Sequence, residues 1–273
     1  MTEQAKTLQT GTSRLLAESR PDGVLHVTLN RPEARNAVSF EMWEGFSALL
    51  DQVERETPPR AIVLTGAGDY FSFGGDLKVP PNRGDGALAT AARLEWGQRI
   101  IARLRRLPVP VIAAVEGGAY GIGWSLVLAC DMVFAADNAA FGAPFVNYGL
   151  TPDGGAAWFL TQQLGRYRAA ELIFSARSMP VAEAASVGLV SRICPAGTVV
   201  AEALAFAAGI GQGNRHAVEL TKRLLHGAQT GDLETSHAME LVYCARLQDG
   251  PELRQAREAF AAKRAAANAA KQD

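Results

Sequence analysis

From Phe40 onward, Met42, Trp43, Phe46, Leu49, Leu50 and Val53 recur at three- and four-residue intervals, the spacing that gathers apolar side chains on one helical face. Ser39 stands where it would cap that helix, and Pro58-Pro59 would stop it. Ahead of it, two strand-like runs at about 14–18 and 25–29 flank the hairpin signal Pro21-Asp22-Gly23. Residues 61–65, four apolar residues and a threonine, read as a buried strand, followed by a glycine- and aromatic-rich loop at 69–76. Residues 79–86 hold two prolines and two glycines and read as mobile. A long helix is predicted from about 88 to 107, then a strand at 108–114. A glycine-rich turn at 117–123 follows, then a short apolar helix to Cys130 and a strand at 132–135.

Alternating strands and helices predict an α/β core over residues 1–205. Beyond about Ala205 the strand signal stops, and 216–225, 233–247 and 252–267 read as helices, the last Ala-rich with one strong apolar anchor, Phe260. A helical region of this kind (206–273) buries little alone and is expected to pack on the core or on a neighbouring subunit.

Composition narrows the classes. The 273 residues carry 27 Lys+Arg against 28 Asp+Glu, a net charge of −1. That balance argues against general nucleic-acid binding, which needs a basic surface, and leaves room for a small anionic ligand held by a few cations. Cys130, Cys194 and Cys244 are scattered, a pattern suited to a reducing compartment rather than to a disulfide framework. His26, His216, His226 and His237 are isolated, so no metal site is expected. Met1 to Ser13 lacks the apolar stretch of a signal peptide, and no apolar run approaches the ~20 residues that span a bilayer. The expectation is a cytoplasmic protein without a membrane segment.

Two glycine-rich turns after buried strands carry the chemistry. Glycines there let backbone N–H groups face a cavity, and a helix starting near Gly121 adds its positive end. Two such donors from different loops make an oxyanion hole for an enolate or tetrahedral oxyanion. Phe71-Ser72-Phe73-Gly74-Gly75-Asp76-Leu77-Lys78 resembles the first oxyanion segment of the enoyl-CoA hydratase/isomerase (crotonase) superfamily. The run from Pro110 through Gly117 to Leu128-Ala129-Cys130-Asp131 is similar to the second. Leu29-Asn30-Arg31-Pro32 with Asn36-Ala37, Phe141-Gly142 with Pro144, Gly149-Leu150 with Pro152 to Gly155, and Ala259-Phe260 with Lys263-Arg264 resemble further family segments, in order.

The resemblance implies a crotonase spiral of ββα units with a C-terminal helical trimerisation region. It implies trimers or hexamers built of two trimers, an acyl-CoA thioester as substrate, and no cofactor beyond that substrate's CoA. Carried over by position, the oxyanion donors are the N–H groups of Gly75 and Ile122. Ala34, Arg35 and Ala37 would line the CoA arm, Lys78 would lie near the adenine pocket, and Phe260 and Lys263 would touch CoA from the last helix. Phe73, Asp76, Trp124, Ser125 and Phe145 complete the expected substrate-binding set. Asp76 and Asp131 have a competing reading as loop braces.

The family's hydratases use two glutamates, and Ser125 and Phe145 occupy those positions. Neither can act as a carboxylate acid/base. One carboxylate remains, Asp153, at the position of the single acid of certain 3-enoyl to 2-enoyl-CoA isomerases; the bland alternative is a helix N-cap. Desolvation by Trp124 and Phe145 would raise its pKa. Asp85 and Glu95 fall in the segment expected to cover the acyl pocket and are candidates for a supporting role. Arg99, Arg103, Arg105 and Arg106 read first as a solvated face and second as CoA-phosphate ligands. The leading expectation is isomerisation with Asp153 as base. Hydration through Asp153 and a water, or displacement on a ring, are alternatives, the latter lacking the histidine that family dehalogenases place before the second oxyanion strand. From another class comes a non-catalytic acyl-CoA-binding protein.

Overall fold

The computed structural model describes residues 6–56, 58–79, 89–211 and 214–269. The chain divides into two compact units, Met1–Gly209 and Ile210–Asp273.

In the first unit, β1 (Lys6–Thr7), β2 (Leu15–Ser19) and β3 (Val24–Leu29) precede α1 (Phe40–Arg55), β4 (Ala61–Gly66) and α2 (Ala92–Arg106). Then come β5 (Val111–Val115), β6 (Gly118–Tyr120), α3 (Ile122–Leu128), β7 (Met132–Ala136) and β8 (Ala140–Gly142). The remainder is α4 (Ala156–Leu164), α5 (Arg166–Ser175), β9 (Ser178–Pro180), α6 (Val181–Ser186), β10 (Arg192–Cys194) and α7 (Val199–Gly209).

The main sheet has the order β1-β2-β3-β4-β5-β7-β10. β2 and β3 form the predicted hairpin, with Leu15 opposite Leu29 and Ser19 opposite Leu25. From β3 onward every pairing is parallel. Every residue of β4 and β5 is buried, as in a parallel sheet covered on both faces. On α1, capped by Ser39 accepting from the Met42 N–H, the periodic residues are all buried, and the helix packs against β2 and α2. α7 lies against β3, β4, β5 and β7.

A second sheet, β6-β8-β9, was not anticipated. Each of its strands spans three residues, too short to show alternation. β6 lies inside the stretch read as a turn, and the α2 helix begins at Ala92, preceded by a 3-10 turn from Ala89, rather than near 88.

The second unit is helical: α8 (Arg215–Ala228), α9 (Leu233–Gln248) and α10 (Pro251–Ala269). Asn214 accepts from the Ala217 N–H and Asp232 from the Thr235 N–H, capping α8 and α9. α8 packs on α9, while Leu225, Leu233, Leu241, Val242 and Phe260 remain exposed. Among the described residues no helix is long and apolar enough to cross a membrane.

Candidate active site

The first glycine segment leaves β4 and returns beside Val38. The Val38 N–H donates to Gly74 O at 2.7 Å, and the Asp76 N–H donates to Val38 O at 3.0 Å. In this parallel bridge between Val38 and Gly75, Val38 bonds only the residues flanking Gly75. The N–H of Gly75 is therefore turned the other way, as alternate groups are in any parallel pairing, and Gly75 lines a cavity of about 420 Å³.

The second segment is stitched to the first. The Ser72 N–H donates to Gly118 O at 3.3 Å and the Tyr120 N–H to Ser72 O at 2.9 Å. A Cβ at Gly74 would meet Tyr120 O at 2.9 Å and Gly121 Cα at 3.6 Å, so the two turns touch. Gly121 adopts φ 54°, ψ −130°, a conformation in effect restricted to glycine. That kink starts α3 at Ile122, whose N–H is one of the first four a helix cannot satisfy internally and sits at its positive end. Ile122 lines the same cavity.

Asp153 lines it too. Among the described residues its Oδ1 is buried with no hydrogen-bond partner. Desolvation lifts the carboxyl from an ordinary 3.8 to about 6, against the opposing charge of Arg93. The capping alternative is not realised: the N-cap of α4 is Gly155, with no side-chain cap bond. The backbone of Asp153 is held from α3, where the Ser125 hydroxyl donates to Asp153 O at 2.9 Å.

Other predicted residues fall elsewhere. Ser125 is fully buried and spends its hydroxyl on that backbone brace, so it does not line the cavity. Trp124 is also buried away from it, its ring 5.9 Å from that of Phe141. The bulky walls are Phe145, Trp43, Phe73 and Tyr148 instead, which corrects the assignment of desolvation to Trp124. Asp76 is a brace rather than a lining residue: it accepts from Arg31 Nη1 at 2.5 Å and from the Lys78 N–H at 2.9 Å. Burial alone would raise the Asp76 carboxyl, but those bonds and the nearby guanidinium charges hold it below the usual range.

Lys78 is exposed. Arg35, in the left-handed region at φ 48°, lays its guanidinium 4.7 Å from the Phe73 ring centroid and 5.5 Å from that of Tyr70. Ala34 and Ala37 are half-buried on either side of the Arg35-Asn36 bend. Asn36 clasps that bend, donating to Ala67 O and Tyr70 O at 2.9 and 2.7 Å. Phe260 is exposed on α10, which also carries Lys263. Asp131 accepts from the Val111 N–H at 2.8 Å. Glu95 pairs with Arg99, and Arg103 with Asp51 and Glu54, on the surface. Asp85 lies outside the described residues.

One charged lining residue escaped the sequence reading. Arg93 lines the cavity, and its Nη1 donates to Asp76 O at 2.5 Å and Val79 O at 3.1 Å. A signal existed: Arg93 opens the stripe continued by the buried Gly97, Ile100, Ile101 and Leu104 of α2, an odd place for a charge. Among the described residues no group of three or more His, Cys, Asp and Glu side chains is placed to hold a metal.

The chain is similar to known proteins over most of its length. The sequence model of the family described as enoyl-CoA hydratase/isomerase matches residues 19–269. A probable enoyl-CoA hydratase of Rhodobacter capsulatus is 35% identical over 248 residues, 89% of this chain and 93% of that protein. The mitochondrial Delta(3,5)-Delta(2,4)-dienoyl-CoA isomerase of Homo sapiens is 39% identical over 214 residues, 73% of this chain and 64% of that protein. The crystal structure of an enoyl-CoA hydratase from Polaromonas sp. JS666 superposes with a TM-score of 0.83 at 33% identity, covering 95% of this chain and 97% of that one.

Proposed function

The chain belongs to the enoyl-CoA hydratase/isomerase family and has the crotonase fold, and within that family we propose that it moves the double bond of a 3-enoyl-CoA to the 2 position, with Asp153 as the only acid/base. The observation that carries this reading is Asp153 itself: a desolvated carboxyl with an unpartnered oxygen, on the same cavity wall set as Gly75 and Ile122.

In this scheme the thioester oxygen sits against the Gly75 and Ile122 N–H groups. Ionised Asp153 takes the proton α to the thioester. The electron pair of that C–H bond flows into the carbonyl and leaves negative charge on oxygen, where the two N–H donors and the start of α3 stabilise it. The carboxylic acid then returns its proton to the γ carbon, and the conjugated 2-enoyl thioester forms. A carboxyl near pKa 6 suits both halves, because it is largely ionised at neutral pH yet basic enough to accept the proton. No group other than the substrate's CoA enters. Ser125 and Phe145 offer no second carboxylate for hydration, which favours isomerisation; the hydratase names of several relatives favour hydration by Asp153 and a water as the second reading.

The exposed apolar residues of α8, α9 and α10 fit a subunit interface, and a trimer or a hexamer of two trimers is the proposed assembly. The test incubates purified protein with a 3-enoyl-CoA and, separately, a 2-enoyl-CoA, following conjugated-thioester absorbance for wild type and Asp153→Asn. Conjugation of the 3-enoyl substrate, reduced about 10²–10⁴-fold in the variant, is the expected result. An undiminished variant would remove Asp153 from the mechanism, and turnover of the 2-enoyl substrate alone would favour hydration. Binding without turnover of either would favour an acyl-CoA-binding role.

A further inference from the structure

We propose that Arg93 is the charge-balancing residue of this site, one fixed guanidinium that faces the Asp153 carboxylate before proton transfer and the thioester enolate after it. This inference rests on the enolate reading above and deepens it.

Three observations carry the placement. Arg93 and Asp153 are the only charged side chains among the described residues that line the cavity. Arg93 is not free to swing away, because Nη1 is clipped to Asp76 O and Val79 O, on the chain segment that follows Gly75. Its other terminal nitrogen, Nη2, lies over the first donor turn: a Cβ built on Gly75 would stand 3.9 Å from it. No carboxylate forms an ion pair with Arg93 among the described residues. The nearby Asp76 carboxylate is already paired with Arg31. Among the described residues Arg93 is also the one charged group that acts on Asp153, opposing the upward push of desolvation. The remaining polar side chains on the cavity wall, Tyr120, Tyr148 and Thr151, are uncharged hydroxyls.

The chemistry follows from charge conservation. Before the reaction the pocket holds one anion, the carboxylate. When Asp153 Oδ1 takes the α proton, the carboxyl becomes neutral and the C–H electron pair appears as negative charge on the thioester oxygen at Gly75 and Ile122. A cation that lines the same cavity and lies beside the Gly75 turn keeps a counter-charge throughout, so proton transfer moves charge within a low-dielectric site without leaving an unpaired anion there. The two N–H donors supply only partial charges; the guanidinium supplies a whole one.

The experiment labels the aspartate side-chain carboxyls with 13C and assigns Asp153 by the signal missing from Asp153→Asn. The titration midpoint is then read in wild type, Arg93→Gln and Arg93→Lys. In parallel, solvent deuterium incorporation α to the thioester of a saturated acyl-CoA reports enolate formation whatever reaction the enzyme completes. We expect Arg93→Gln to raise the Asp153 midpoint and slow deuterium incorporation about 10–100-fold, with KM little changed. Arg93→Lys should restore the midpoint and most of the rate. An unmoved midpoint in Arg93→Gln, or a lysine variant as impaired as the glutamine one, overturns the inference and leaves Arg93 a clip for residues 76–79. If wild type exchanges the α proton but does not isomerise 3-enoyl-CoA, the isomerase reading falls while a shifted midpoint and slowed exchange still support Arg93.

Discussion

Replacing Asp153 with asparagine should make the protein more stable relative to wild type as pH rises. Burial lifts the folded-state carboxyl from 3.8 to about 6, so the unfolded chain ionises first. Below about pH 3.8 both states are protonated and Asp153 costs nothing. Between about 3.8 and 6 the unfolded state gains ionisation that the folded state resists, and above about 6 the penalty is complete. A shift of about two units corresponds to ~3 kcal/mol of lost stability at neutral pH. An asparagine amide in the same unpartnered place has its own cost, about 1–3 kcal/mol, but that cost does not depend on pH. The quantity to measure is therefore the change in ΔΔG with pH. Equilibrium denaturant unfolding of wild type and Asp153→Asn at about pH 4.5 and about pH 8, at one fixed protein concentration because subunit association is linked to unfolding, should show the asparagine variant gaining ~2 kcal/mol over that interval. A pH-independent ΔΔG would mean that the carboxyl titrates normally, and the account of a desolvated base would fall with it.

The acid limb of kcat/KM for 3-enoyl-CoA should fall off near pH 6, since protonated Asp153 cannot accept the α proton; a limb near pH 4 would contradict a desolvated base. Gly121→Ala has ordinary room for its methyl, with Gly74 Cα at 3.7 Å and the Phe145 ring at 3.8 Å, but forces alanine to φ 54°. It should cost about 1–3 kcal/mol and, by re-aiming the Ile122 N–H, about 10²-fold in kcat; unchanged turnover in a folded variant would count against that donor. Ser125→Ala removes the hydroxyl that donates to Asp153 O and should lower stability by about 1–2 kcal/mol. Its acid limb should stay near that of wild type, whereas a displaced limb would mean that Ser125 acts on the carboxyl and not on the backbone.

What the sequence made legible follows from how each element is encoded. α1 announced itself because six of its buried positions are apolar and recur with the helical period and Ser39 caps it, and β4 because the unbroken apolar run Ala61-Ile62-Val63-Leu64 leaves few alternatives. The small β6-β8-β9 sheet left no trace, since three-residue strands are assembled by partners from distant parts of the chain rather than by local pattern. The glycine turns were legible as turns, but that Ser72 and Tyr120 tie them together depends on tertiary pairing. Trp124 was misplaced for a related reason. It neighbours Ile122, but two residues along a helix lie about 200° apart, so the one that follows a lining residue by two turns its side chain toward Phe141. Arg93 was overlooked because it is polar and stands at the start of the predicted helix, where no apolar residue a turn earlier marks the face, although its alignment with the buried stripe of α2 pointed to it.

Retained glycines are weak grounds for catalysis in this fold. A Cβ at Gly123 would stand 2.7 Å from Ser72 Cβ, and one at Gly117 would stand 2.1 Å from Asp69 O, so packing alone would keep glycine there in a chain without activity. Ser125, Asp76 and Asn36 likewise have structural duties that account for them. Asp153 is different. Its buried oxygen bonds to nothing among the described residues, it caps no helix, and its charge destabilises the native state at neutral pH. Buried polar atoms without partners are few in native proteins and call for a reason other than stability. A site whose framework explains itself, but whose one costly group does not, is best explained by what that group does to a bound thioester.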